Sequence, residues 1–231
     1  MPYGIVVNSL CVLLGGFLGL LLKNRIPERF KDSLPMIFGL ASMAMGITAI
    51  QMVHRLPAVA FAVITGFIAG EALQLEDGLT RALDKNLKKL KKDNDSVMDM
   101  NNLIAIIVLF CASGTGIYGA MESRFSGNHS ILYTKSLLDF FTSAIFVTLL
   151  GGVVCLIAVP QFMTMFFIFL LAGVFMPYVS PETLLDFRAC GGVIMLATGF
   201  RVARMMQISI VNMLPALILI IPISYLFSLI M

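Results

Sequence analysis

Charge is scarce in this chain: Asp, Glu, Lys and Arg make up 13% of its 231 residues, against 59% hydrophobic residues. A single soluble core could not hide that much apolar surface, so lipid must cover the remainder. Histidine is scarcer still. The two present, His54 and His129, fall in different loops, so there is no HExxH zinc pair and no Ser/His/Asp set on one side. A phosphate-cradling P-loop is missing too. These gaps argue against ATP-driven transport by this chain alone and against the common membrane-hydrolase chemistries; no enzyme activity, cofactor or metal is expected. The four cysteines, Cys11, Cys111, Cys155 and Cys190, all lie in apolar runs and form no CxxC pair, which predicts buried packing. A net charge of +3 is too small to suggest nucleic acid as a partner, and six of the sixteen basic residues crowd between Arg81 and Lys92, a pattern that points to an anionic leaflet.

What the chain has in abundance is uncharged length. Phe140 to Pro181 is an uninterrupted run of 42 uncharged residues. A bilayer core about 30 Å thick is crossed by roughly 20 apolar residues of helix, so this run is long enough for two crossings. Dividing the chain at charges and at Pro/Gly/Ser clusters predicts eight spans, about 4–22, 34–53, 56–73, 101–121, 136–158, 161–179, 188–204 and 208–230. The long run divides at Pro160-Gln161 in a tight hairpin, with Gln161 at its tip. The first run lacks a basic region ahead of it and is followed by Lys23, Arg25, Arg29 and Lys31, so it reads as a retained span. The fold class expected is all-α, a polytopic bundle of seven or eight transmembrane helices. It is organised as helices 1–3 over residues 1–73, a cytoplasmic basic segment over 74–100, and helices 4–8 over 101–231.

In the middle segment Leu75, Leu79, Leu83, Leu87 and Leu90 recur at helical spacing opposite Lys85, Lys88, Lys89, Lys91 and Lys92. Such a helix lies on the membrane with its lysines toward lipid headgroups, or packs as a solvated amphipathic helix on the protein's own loops. Asp93-Asn94-Asp95-Ser96 then reads as a linker. With the N-terminus outside, the inner loops hold about twelve Lys/Arg against four in the outer ones, and the positive-inside rule selects that orientation.

Small residues recur within the spans: Gly66 with Gly70, Gly114, Gly116 and Gly119, and Gly191 with Gly192. They let helices approach closely, or permit unwound backbone beside a ligand. Two runs are short, one between Arg55 and Glu71 and one between Arg188 and Arg201, as half-helices around a mid-membrane site would be. Alternatively both are tilted spans whose end charges reach the interface. Val6-Val7-Asn8-Ser9-Leu10 is echoed by Ile210-Val211-Asn212-Met213-Leu214 on an antiparallel span, the kind of match an inverted repeat leaves. Pro215 frees backbone carbonyls near Asn212; the plainer role of Asn8 and Asn212 is an interhelical hydrogen bond. Asp139 follows Lys135 by four residues, the spacing of a helical ion pair, with Ser136, Thr142 and Ser143 nearby. The pair anchors its helix at the interface, or Asp139 faces a cavity and binds a cation or proton. Glu71, directly after Gly70, carries the same two readings.

Taken in order, Phe110-Cys111-Ala112-Ser113-Gly114-Thr115-Gly116-Ile117-Tyr118-Gly119, Lys135-Ser136-Leu137-Leu138-Asp139, Gln161, Gly191-Gly192, Gly199 and Val211-Asn212-Met213-Leu214-Pro215-Ala216 resemble the bacterial inner-membrane proteins of domain-of-unknown-function family 554, the YqgA/YdfK-like group. The likeness runs from the first span to the last. Phe140 and Phe162 depart from it, standing where glycine is expected after Asp139 and Gln161. The resemblance implies a bacterial cytoplasmic membrane and adds weight to Asn8, Lys135, Asp139, Gln161 and Asn212 without assigning their roles. The function expected is a secondary transporter or ion-conducting protein for a small solute or cation, with homodimer contacts through glycine-rich faces. The alternative is a non-transporting scaffold or regulator acting through the basic helix.

Overall fold

The computed structural model describes residues 2–22, 28–90, 107, 110–111, 113–175, 177 and 179–230. All regular structure in them is helical: α1 Tyr3–Leu22, α2 Glu28–Ile50, α3 Leu56–Ala72, α4 Leu75–Leu90, α5 Gly114–Ser126, α6 Ser130–Leu150, α7 Val153–Leu156, α8 Ala158–Phe175, α9 Pro181–Val202, α10 Ile210–Met213 and α11 Pro215–Ser228. Six of the described helical stretches are long and apolar enough to cross a membrane, and the bent pair α3–α4 makes a seventh. The expected fourth span, 101–121, is described mainly from Ser113 onward, where α5 forms its second half. The linker Asp93–Ser96, together with Lys91 and Lys92, lies outside the described residues, as do the side chains of Lys88 and Lys89.

The long apolar run turns at Gly151-Gly152, not at Pro160. Gly151 has φ 75° and ψ −164°, a region essentially reserved for glycine, and its N–H closes α6 onto the carbonyl of Val147. Pro160 then sits near the start of the next span, Val153–Phe175, where the chain is already loosened at Ile157 and a missing N–H costs little. This correction moves Gln161 from a hairpin tip into the body of a helix.

The two short runs resolve differently. The first is α3, bent by 45° against the start of α4 at Leu73-Gln74, with Gln74 at φ 50°. The second is the core of α9, a full span of 22 residues that begins at Pro181 under a Ser180 cap. Its first turns carry Glu182, which stays exposed at the helix start, and Asp186 and Arg188, whose charges are paired with Arg55 and Glu122 so that the helix tolerates them. α9 is also the central helix: 67% of its span is buried, against 33% for α1.

Close helix contacts run through glycine. A Cβ on Gly192 would meet the carbonyl of Gly46 at 2.7 Å, and one on Gly199 the carbonyl of Gly39 at 2.6 Å, so α2 and α9 touch backbone to backbone. Gly66 and Gly70 seat α3 against Ala216 and Asn212, and Gly15 and Gly19 seat α1 against Phe140 and Ala144 of α6. Gly191 lies under the Tyr118 ring, Gly114 against Ile194 and Gly119 against Leu132. Tyr118, Phe187, Ile194, Met195, Leu217 and Ile220 form the main core between α5, α9 and α11. The outward faces of α1, α3 and α8 expose Leu, Ile and Phe, as lipid-facing surfaces do.

Alternating crossings place the start of α1, the His129 loop and the starts of α3 and α9 on one face, here called proximal. Tyr3 and His129 confirm this, with ring centroids 6.3 Å apart. The α3–α4 bend, the Gly151 turn and the start of α10 lie on the opposite, distal face.

Candidate functional site

Three helices converge on one carboxylate in the middle of the bundle. Asp139 lies nine residues into α6 and eleven from its end. At ~1.5 Å per residue that is roughly 15 Å from either face. Lys135, one turn earlier, reaches both of its oxygens, at 2.9 and 2.7 Å. From α1, Asn8 Nδ2 donates to Asp139 Oδ2 at 2.9 Å. From α8, Gln161 Nε2 donates to the same oxygen at 2.7 Å and to Asn8 Oδ1 at 2.8 Å. All four residues are buried, Asn8 and Gln161 completely. Among the described residues Gln161 Oε1 has no partner. Ser136, Thr142 and Ser143, expected to enrich this site, instead bond to carbonyls of their own helix.

A broken helix completes the site. Ser113 adopts φ −65° and ψ 125°, so α5 starts inside the protein, and the Ser113 side chain makes no cap bond. Gly116 of α5 packs against Met165 Cε and Lys135 Cε, at 2.5 and 2.9 Å from a hypothetical Cβ. One turn toward the distal face from Met165, Lys135 and Gly116 come Gln161, Asp139 and the Ser113 break, which therefore share a level. The N-terminus of α5 lies at that level. On the other side of the break, the Phe110 ring lies 5.9 Å from Lys135 Nζ. A lysine and an aspartate this deep in apolar surroundings are expensive to bury, and the pair persists through charge-assisted bonds and two amides.

Glu71 and Asn212 belong to a separate cluster on the distal face. Asn212 Nδ2 donates to Glu71 Oε2 at 2.7 Å, and Asn212 Oδ1 accepts from the backbone N–H of Glu76 at 2.9 Å, bridging the α3–α4 bend. Glu76 in turn pairs with Arg201 of α9 at 2.7 Å and accepts from the N–H of Val211 at 3.3 Å, while Arg201 also donates to the Ile208 carbonyl. Asn8 and Asn212 thus lie on antiparallel helices and serve different clusters.

Two further clusters, on the proximal side, escaped sequence reasoning. Fully buried Asp186 accepts from the backbone N–H groups of His54 and Arg55 at 3.1 and 2.6 Å and from Ser224 Oγ at 2.7 Å, capping the entry to α3. Arg55 pairs with Asp186 and with Glu182. Glu122, also buried, holds Arg188 at 2.8 Å and Ser126 at 2.7 Å. The signal available was the i, i+4 spacing of Glu182 with Asp186 and of Glu122 with Ser126. In the His129 loop, burial holds the imidazole below its usual pKa, beside Ser123 Oγ at 2.7 Å. Among the described residues no three His, Cys, Asp or Glu side chains could hold a metal.

A family model described as "Protein of unknown function (DUF554)" matches residues 3–225. The chain is 43% identical over 227 residues to the Escherichia coli (strain K12) protein titled "Uncharacterized protein YqgA", covering 97% of both chains. It is 24% identical over 223 residues to the Bacillus subtilis (strain 168) protein titled "Uncharacterized membrane protein YdfK", covering 94% of this chain and 93% of the relative. No solved structure matches.

Proposed function

We propose that this chain, which belongs to the DUF554 family, is a secondary transporter or ion-conducting protein of the bacterial inner membrane that moves a small solute or ion past Asp139. The observation that carries the reading is the Lys135–Asp139 pair held at mid-span by amides from two other helices, beside a helix that restarts inside the bundle. Ionisable groups at this depth are costly and mark substrate or ion paths, and half-helices are the usual backbone device around them. Its four residues are buried in this arrangement. Asp139 is the group a passing ligand engages, Lys135 balances its charge between turnovers, and Asn8 and Gln161 orient the carboxylate. No chemical step on the ligand is part of this reading.

Flux into proteoliposomes across a broad panel of ions and small solutes tests it. Wild type is expected to move at least one of them and Asp139→Asn none. Equal flux in both would remove the assignment to Asp139.

A second reading, a lipid-sensing scaffold or regulator, draws on α4, which departs from α3 at 45° and exposes Arg81 and Lys85. It expects partner recruitment that depends on anionic lipid and survives Asp139→Asn.

A further inference from the structure

Counting donors and acceptors in the central cluster assigns a charge to its ligand, an inference that rests on the reading of Asp139 as the ligand-engaging group. Each side-chain nitrogen already donates within the cluster: Lys135 Nζ to Asp139 Oδ1 and Oδ2, Asn8 Nδ2 to Asp139 Oδ2, and Gln161 Nε2 to Asp139 Oδ2 and Asn8 Oδ1. On the acceptor side Gln161 Oε1 is left over, on a residue with 0% exposure. A buried acceptor without a partner is costly, and a cation or a hydrogen-bond donor relieves it. Turning the Gln161 amide over would not help, because its oxygen would then face Asp139 Oδ2 and Asn8 Oδ1. An anion, in contrast, would face the oxygens of Gln161, Asn8 and Asp139.

We propose that this cluster is a binding site for a dehydrated monovalent cation of the alkali-metal class, coordinated by Gln161 Oε1, Asn8 Oδ1 and a carboxylate oxygen of Asp139, and that the Lys135 ammonium is the tethered cation it displaces. Hard cations take oxygen ligands, and the site offers amide and carboxylate oxygens with no sulfur or imidazole among its four side chains. Charge selects the valence. With the ammonium withdrawn to Phe110, one monovalent ion replaces it as the counter-charge of Asp139, whereas a divalent ion would add a second excess charge beside the still-buried ammonium. Lys135 has somewhere to go: its stem runs over Gly116, which adds no side chain of its own, beside the flexible Met165 thioether, and its ammonium already faces the Phe110 ring, a cation–π perch. Because the site accepts an ion only while Lys135 is disengaged, removing that competitor should tighten binding.

The test uses the full chain in detergent at fixed pH and ionic strength, reading the thermal unfolding midpoint against Na+, K+ or Li+ chloride with N-methyl-D-glucamine chloride as the blank. At least one alkali ion is expected to raise the wild-type midpoint saturably. Lys135→Met should bind that ion about tenfold more tightly, the factor lost when a competitor holds the site about nine-tenths of the time. Gln161→Met should bind it about tenfold more weakly, the loss of one ligand bond, and Asp139→Asn not at all. Midpoints identical in every salt, or a Lys135→Met protein that binds no more tightly than wild type, would overturn the proposal. If Lys135→Met cannot be purified, the comparison of Gln161→Met with wild type decides. Saturable binding without flux would sink the transport reading and keep this site; flux indifferent to the alkali ion, with no binding, would do the opposite.

Discussion

The Lys135–Asp139 pair predicts a specific pattern of energetic coupling. In Lys135→Met the Asp139 carboxylate keeps two amide donors, Asn8 Nδ2 at 2.9 Å and Gln161 Nε2 at 2.7 Å. In Asp139→Asn the ammonium loses its counter-charge, and the new amide must meet the donors of Asn8 and Gln161. Breaking a buried pair by removing one partner costs about 3–5 kcal/mol, so Lys135→Met should fall near 3 and Asp139→Asn nearer 4 or 5. The double substitution removes both charges and leaves an amide cluster, so it should cost no more than the larger single change, a coupling of about 3 kcal/mol. Reversible unfolding in mixed micelles, run without alkali cations, measures the cycle. Additive costs would show that the two charges do not stabilise each other at depth, and the mid-span ion pair would be refuted.

Other consequences follow from backbone geometry. Gly151→Ala forces a Cβ into a conformation reserved for glycine and should cost about 1–3 kcal/mol; Gly152→Ala, at φ −64° with its nearest neighbour 3.6 Å away, should cost far less by the same unfolding assay. Gly70→Ala drives a Cβ into the Asn212 carbonyl and should lower the thermal midpoint sharply, whereas Gly78→Ala, with nothing within 4 Å on exposed α4, should be neutral or stabilise by up to about 1 kcal/mol. Asp186→Ala strips the cap from two backbone N–H groups and leaves Arg55 without its buried partner, a loss of about 3 kcal/mol that Glu182→Gln, on an exposed carboxylate, should not reproduce.

Much of this was legible before any coordinates. Membrane residence and helical class follow from uncharged run lengths, and the Lys135–Asp139 pair from i, i+4 spacing. Its depth was not legible, because hydropathy cuts at Pro160 while the chain turns at Gly151. One glycine in a left-handed conformation shifts the register of the following span and carries Gln161 from an interface to the centre. The same limitation hid the start of α9. Counting charges excludes Glu182, Asp186 and Arg188 from a span, yet Arg55 and Glu122 neutralise them from other helices, a tertiary fact that no local window contains. Glu71 and Asn212 were singled out for the right polarity, and only the α3–α4 bend shows that they meet each other and not Asp139.

The central claim is that the carboxylate of Asp139 and the lone carbonyl of Gln161 receive a cation in the heart of the bundle. Crystals grown with Tl+ or Rb+ test it most directly through anomalous scattering. One peak is expected within coordination distance of Gln161 Oε1 and Asp139, with Lys135 Nζ moved toward Phe110. A map at saturating ion with no peak there, and Lys135 still bound to Asp139, would contradict it.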